Sequence, residues 1–231
     1  MVNFLVSKAK SKQIEVEDIL KLVKKIQPRS INDDLNELKL QISTNYDEEV
    51  SILFNKWIDI VSIFFEKSYN GLIEIALQNK NFAPFAISVL EETKTSEGLK
   101  SLIEIIRNSK LKDNDGYKSI LDSIAAINMM ISFDDDIFIA PEDSESAKSL
   151  IHDFLKFNKE NTFNEGDVVV AYCALRKIGD LETIKLIKNM PALMESQNMG
   201  IDSTVMKQIE KKWGKTGISD TQIRFTIKMQ I

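Results

Sequence analysis

Ala171-Tyr172-Cys173-Ala174-Leu175-Arg176-Lys177-Ile178-Gly179-Asp180-Leu181-Glu182-Thr183-Ile184-Lys185-Leu186-Ile187 reads as two short amphipathic helices joined by a Gly-Asp turn. Ala171 and Leu175 on the first helix, and Ile184 and Ile187 on the second, hold the spacings of four and three that put apolar side chains on one helical face. The pattern also stands 85 positions earlier, with Ala86, Leu90, Leu99 and Leu102 in the equivalent places. A helix pair of this size cannot bury its apolar face alone, so copies must stack on neighbours.

Outward from these copies, helical periodicity dominates. Eight Gly and four Pro in 231 residues leave few breaks. The spacing predicts a helix from Glu15 to Ile26, stopped by Pro28, and a second led by Ser30 as N-cap through Leu35, Leu38 and Ile42. Asp47, Glu48 and Glu49 open a long helix to about Lys67. Asn70-Gly71 reads as a turn before a short helix from Leu72 to Gln78. Pro84 starts the first copy, and Ser96 caps its second helix. Asn114-Asp115-Gly116 reads as a break before a helix from Tyr117 to Ile131, and Ser146 to Phe157 follows after a long acidic connection. An interval of 85 is about twice a typical 40- to 47-residue unit, which leaves room for one degenerate middle repeat.

The run Val170 to Asp180, followed by Thr183-Ile184 and Leu186-Ile187, resembles a HEAT repeat: an alanine-rich helix, a Leu, then Gly-Asp before the second helix. The likeness is close over about 25 residues and looser over about 110. It implies an all-α fold, a HEAT-like helical-repeat α-α superhelix of about ten helices. On that reading residues 1–80 are an N-terminal helical region, 81–213 carry the repeats and 214–231 form a tail, all within one continuous domain.

The tail follows another rule. From Thr221 to Ile231, Ile223, Phe225, Ile227, Met229 and Ile231 alternate with Gln222, Arg224, Thr226, Lys228 and Gln230. Period two predicts a short C-terminal β-strand. Its unpaired backbone would need a partner, from Val2–Val6 or Ile137–Ala140 within the chain, or from a second copy in a homodimer.

Composition narrows the chemistry. A formal charge of −5 argues against nucleic acid and anionic membrane as generic partners. The one cysteine excludes an internal disulfide and fits a reducing, cytoplasmic setting. No apolar run suits a signal peptide or a membrane span. His152, the sole histidine, lies between Ile151 and Asp153 and reads as an exposed or half-buried helical residue; Cys173 reads as buried packing. With one His and one Cys, no structural zinc site and no nucleophile-base pair is expected. Gly214-Lys215-Thr216 lacks the earlier glycine of a phosphate loop, since Ile209 stands there, and Trp57 and Trp213 read as packing anchors. No cofactor is expected.

Charge is uneven: residues 131–167 hold ten acids against three Lys, whereas residues 1–30 hold seven Lys or Arg against three acids. Asp134, Asp135, Asp136, Glu142, Asp143 and Glu145 could serve a hard cation such as calcium, but they lack the alternating spacing and central glycine of an EF-hand. They read instead as a solvated acidic surface for a basic protein partner. The leading function is therefore a non-catalytic protein-protein interaction module. The alternatives are an immunity-type inhibitor of a toxin, whose acidic face would mimic phosphates, and a DNA-backbone reader resembling the HEAT-like glycosylases, which the net acidity disfavours. An enzyme working through carboxylates alone is the remaining class.

Overall fold

The computed structural model describes residues 2–25, 32–133, 139–161, 164–193 and 200–215. Among them the chain is all-α, with eleven helices and no strand. None of these helices is long and apolar enough to cross a membrane. The residues fall into two compact units, one within Met1–Met130 and the other within Ile131–Phe133 and Ile139–Ile231.

The first unit contains α1 (Val2–Lys10), α2 (Val16–Lys25), α3 (Asn32–Asn45), α4 (Glu48–Gln78), α5 (Ala83–Thr93), α6 (Ser96–Asn108) and most of α7 (Asn114–Phe133). α4 is its spine and packs against α2, α3, α5 and α6. Asp47 caps α4 by accepting the Val50 amide at 2.9 Å, and Glu48 and Glu49 place negative charge on the first turn, as the sequence predicts. Trp57 meets Phe85 of α5 edge to face at 4.7 Å, which bears out its reading as a packing anchor.

The second unit contains α8 (Pro141–Glu160), α9 (Glu165–Ile178), α10 (Leu181–Lys188) and α11 (Ile201–Lys215). α9 packs on both α8 and α11, and its Val168, Ala171, Tyr172, Ala174 and Leu175 are buried. Gly179 is required by crowding: a Cβ there would lie 2.7 Å from both Ile209 Cδ1 and the Leu175 carbonyl.

Several boundaries differ from the sequence reading. Val2–Val6 is helical, because the buried set Val2, Leu5, Val6 and Ala9 follows the period of a helix once the window reaches Ala9, so it offers no strand to the tail. Asn70-Gly71 lies inside α4, and the break falls at Ser68 instead. Thr95, not Ser96, caps α6, accepting the Gly98 amide at 3.0 Å. Asn114-Asp115-Gly116 is the first turn of α7, supported by Asp113, whose carboxylate accepts the Gly116 amide at 3.1 Å. Pro141 begins α8 earlier than expected because proline suits a first helical turn. The proposed strand lies outside the described residues, as do Ser30 and the Trp213 side chain.

Candidate functional site

The two helix pairs that define the sequence repeat coincide in structure at their caps. Ala86, Leu90, Leu99 and Leu102, and likewise Ala171, Leu175, Ile184 and Ile187, are all buried. The N-caps, Thr95 and Asp180, stand at the same 85-residue offset. Each is also braced by a long polar side chain from a helix preceding the pair.

In the first pair the brace is Tyr69 of α4, whose hydroxyl lies 2.9 Å from Thr95 Oγ1. Thr93 donates to the Leu90 carbonyl at 2.7 Å and lies 3.1 Å from Thr95 Oγ1. A hydroxyl has one proton, so this geometry orders the chain from Tyr69 to Thr95 to Thr93 to the Leu90 carbonyl.

In the second pair the brace is ionic. Lys148 of α8 donates to Asp180 Oδ2 at 2.5 Å and to Glu145 Oε2 at 2.6 Å. Asp180 Oδ1 accepts the Thr183 amide at 2.9 Å, and Thr183 Oγ1 accepts the Asp180 amide at 3.1 Å, a reciprocal capping box. His152 Nε2 lies 2.8 Å from Thr183 Oγ1. With the threonine proton donated to Asp180 Oδ1, the imidazole donates from Nε2.

Burial and charge act together in this cluster. Burial pushes the Lys148 ammonium down, but the hydrogen bonds from it to Asp180 and Glu145 outweigh that and hold it above its ordinary value. Burial likewise raises Asp180, and the Lys148 and Thr183 hydrogen bonds more than reverse the effect. Burial holds His152 below the usual imidazole range, against the opposing pull of Asp180 and Glu182. Lys148, His152 and Lys156 form an i, i+4, i+8 stripe along α8. His152 and Lys156 border an open recess of about 440 Å³ with Glu182, Lys185 and Leu186 of α10.

An imidazole, a hydroxyl and a carboxylate in sequence resemble the parts of a nucleophilic triad, but their order differs. The carboxylate engages the hydroxyl rather than the imidazole, and Thr183 is 0% exposed. No substrate carbonyl can reach its oxygen, so this set acts as a helix cap.

The sequence-predicted residues are distributed differently. Glu142 and Asp143 lie on the first turn of α8, where negative charge complements the helix dipole. Glu145 is drawn into the Lys148 bridge. Asp134, Asp135 and Asp136 lie outside the described residues. Among the described residues no group of three or more His, Cys, Asp or Glu side chains is placed to hold a metal ion. His152 is buried at 5% exposure, not exposed or half-buried, because it points to the α10 cap. Cys173 is only partly buried, since the inward face of α9 is taken by its neighbours Ala171, Tyr172, Ala174 and Leu175.

Lys148 has no place in the sequence pattern, and Thr183 enters it only as part of the HEAT-like run, without a capping role. Asp180-x-x-Thr183 carries the spacing of a capping box and was the available signal. Nothing local marks Lys148 as the residue that bridges to it. Comparison of the chain with protein-family models, with curated proteins and with solved structures finds no match.

Proposed function

We propose that this chain is a non-catalytic protein-binding module built on HEAT-like helical hairpins, and that its partner is a basic protein engaging the acidic start of α8. The observation carrying the reading is the shared offset of the two capped hairpins, each with a brace from a preceding helix. Recurrence of one unit supports stacked repeats, which commonly present extended surfaces to macromolecules. That step from fold to role is analogy. The α8 surface is favoured because Glu142 is exposed and, among the described residues, neither it nor Asp143 forms an ion pair. Their charge is therefore available outward, whereas Glu145 and Asp180 share the single positive charge of Lys148.

The test is zero-length carbodiimide coupling in cells that make the protein, followed by mass spectrometry of the joined peptides. Lysines of the partner should couple to Glu142 or Asp143. The combined variant Asp134→Asn, Asp135→Asn, Asp136→Asn, Glu142→Gln and Asp143→Asn should lose the partner at physiological salt. Retention of the same partner by that variant, with couplings elsewhere on the chain, would overturn the assignment.

A further inference from the structure

Among the described residues, the longest helix carries a backbone break in its interior. Ser68 has φ 57° and ψ −152°, which divides α4 into stretches 48–67 and 69–78. This combination lies at the edge of a region populated almost only by glycine, so a serine there is strained. Yet most of the buried residues of α4, namely Ser51, Phe54, Ile58, Val61, Phe65, Leu72 and Ala76, keep the spacings of three, four and seven across the break. The apolar stripe therefore suits a continuous helix as well as a bent one.

Three features hold the bend. Gly71 lets the two stretches close: a Cβ at that position would lie 2.5 Å from Lys67 Cβ and 3.0 Å from Ile63 Cγ2. In a straight helix, residues 67 and 71 are ordinary i, i+4 neighbours and alanine would fit. Phe64 and Tyr69 meet edge to face at 5.3 Å across the break. Tyr69, one residue past Ser68, reaches Thr95 Oγ1 at the cap of α6.

We propose that α4 is a two-position element, bent at Ser68 in this structure and convertible to a continuous helix, in which straightening withdraws Tyr69 and loosens the cap of α6. Ser68 strain favours the straight form, while Gly71 and the Tyr69–Thr95 hydrogen bond favour the bent one. Because Tyr69 is the first side chain beyond the hinge, rotation there reaches the first hairpin directly. A partner that prefers either form of α4 would set the order of that hairpin's second helix.

The experiment places spin labels at the exposed positions Leu53→Cys and Leu77→Cys in the full chain, with Cys173→Ser removing the native thiol. In a straight helix their Cα atoms would be about 36 Å apart. The parent should give a main population shorter than this, and Ser68→Gly should sharpen it. Gly71→Ala should move the population toward about 36 Å and speed amide exchange at Gly98 severalfold, because Thr95 loses its Tyr69 brace and the cap loosens. Tyr69→Phe, which keeps the ring but removes the hydroxyl, should shift the distribution in the same direction and covers the case in which Gly71→Ala does not fold. The proposal is overturned if Tyr69→Phe and any folded Gly71→Ala protein keep the parental distances, or if Ser68→Gly broadens them.

Discussion

Replacing Lys148 with Met tests the polar cluster of the second unit most directly. Methionine keeps most of the apolar stem and removes only the ammonium group. The Lys148 side chain is 9% exposed and Asp180 is 21% exposed, whereas Glu145 is 68% exposed. The Glu145 arm is therefore a water-screened pair of about 0.5 kcal/mol. The Asp180 arm is shielded, and removing one partner of such a pair costs about 3–5 kcal/mol when the other is fully buried. Asp180 retains its two bonds from Thr183 and some contact with water, which places its share at about 2–3 kcal/mol. The total is about 3 kcal/mol, a fall in Tm of roughly 6–12 °C for a domain of this size.

The sign with pH separates this account from simple loss of packing. The folded-state pKa of Asp180 lies below its ordinary value, so its contribution is present above the unfolded value near 4 and is lost as pH falls through the folded one. Without Lys148, burial alone would push Asp180 upward, and protonation would relieve the variant. The deficit of Lys148→Met should be about 3 kcal/mol at pH 7 and shrink steadily as pH falls below about 4, through the lowered folded-state pKa of Asp180. Urea unfolding across that range, with amide exchange in α8 and α10 to localise the effect, measures it. A deficit below about 0.5 kcal/mol at pH 7, or one independent of pH, would refute the reasoning.

Two further outcomes follow from the same region. Because burial lowers the pKa of His152, the folded state takes up its proton less readily than the unfolded chain; stability should fall as pH drops below about 6.5, by at most about 1.4 kcal/mol per unit. His152→Gln should remove that slope between pH 7.5 and 5, and an unchanged slope in urea titrations would show that other groups cause it. Gly179→Ala should lose about 1–3 kcal/mol by forcing a methyl group against Ile209 and the Leu175 carbonyl. Denaturant midpoints check this, and a loss under about 0.5 kcal/mol would mean that α11 moves aside freely.

The helices were legible because burying one face imposes a period that shows in any window of two turns or more. Ala86, Leu90, Ala171 and Leu175 all face inward, as their spacing required. Local breakers were less informative. Asn70-Gly71 has the composition of a turn, yet Gly71 serves a close approach and the break falls on Ser68, a residue with no preference for positive φ. The Lys148–Asp180 bridge joins residues 32 apart in sequence, and no periodic pattern specifies such a pair. Burial of His152 likewise depends on where α10 sits, which the α8 sequence does not encode.

The two hairpins share cap positions but not cap chemistry, and this difference has physical consequences. Thr95 and its brace Tyr69 meet through hydroxyl groups, so the first cap depends on geometry, which the bend in α4 sets under the proposal above. Asp180 and its brace Lys148 are charged, so the second cap depends on ionisation and on exclusion of water. Apolar spacing must be kept if a repeat is to stack, because one misplaced side chain leaves a cavity or a clash. A cap needs only an acceptor at the right place, which a hydroxyl or a carboxylate can supply. Repeated units can therefore diverge first at their caps and braces while the core pattern persists. The same helix-pair plan thus carries a hydroxyl-braced cap at Thr95 and an ion-paired one at Asp180.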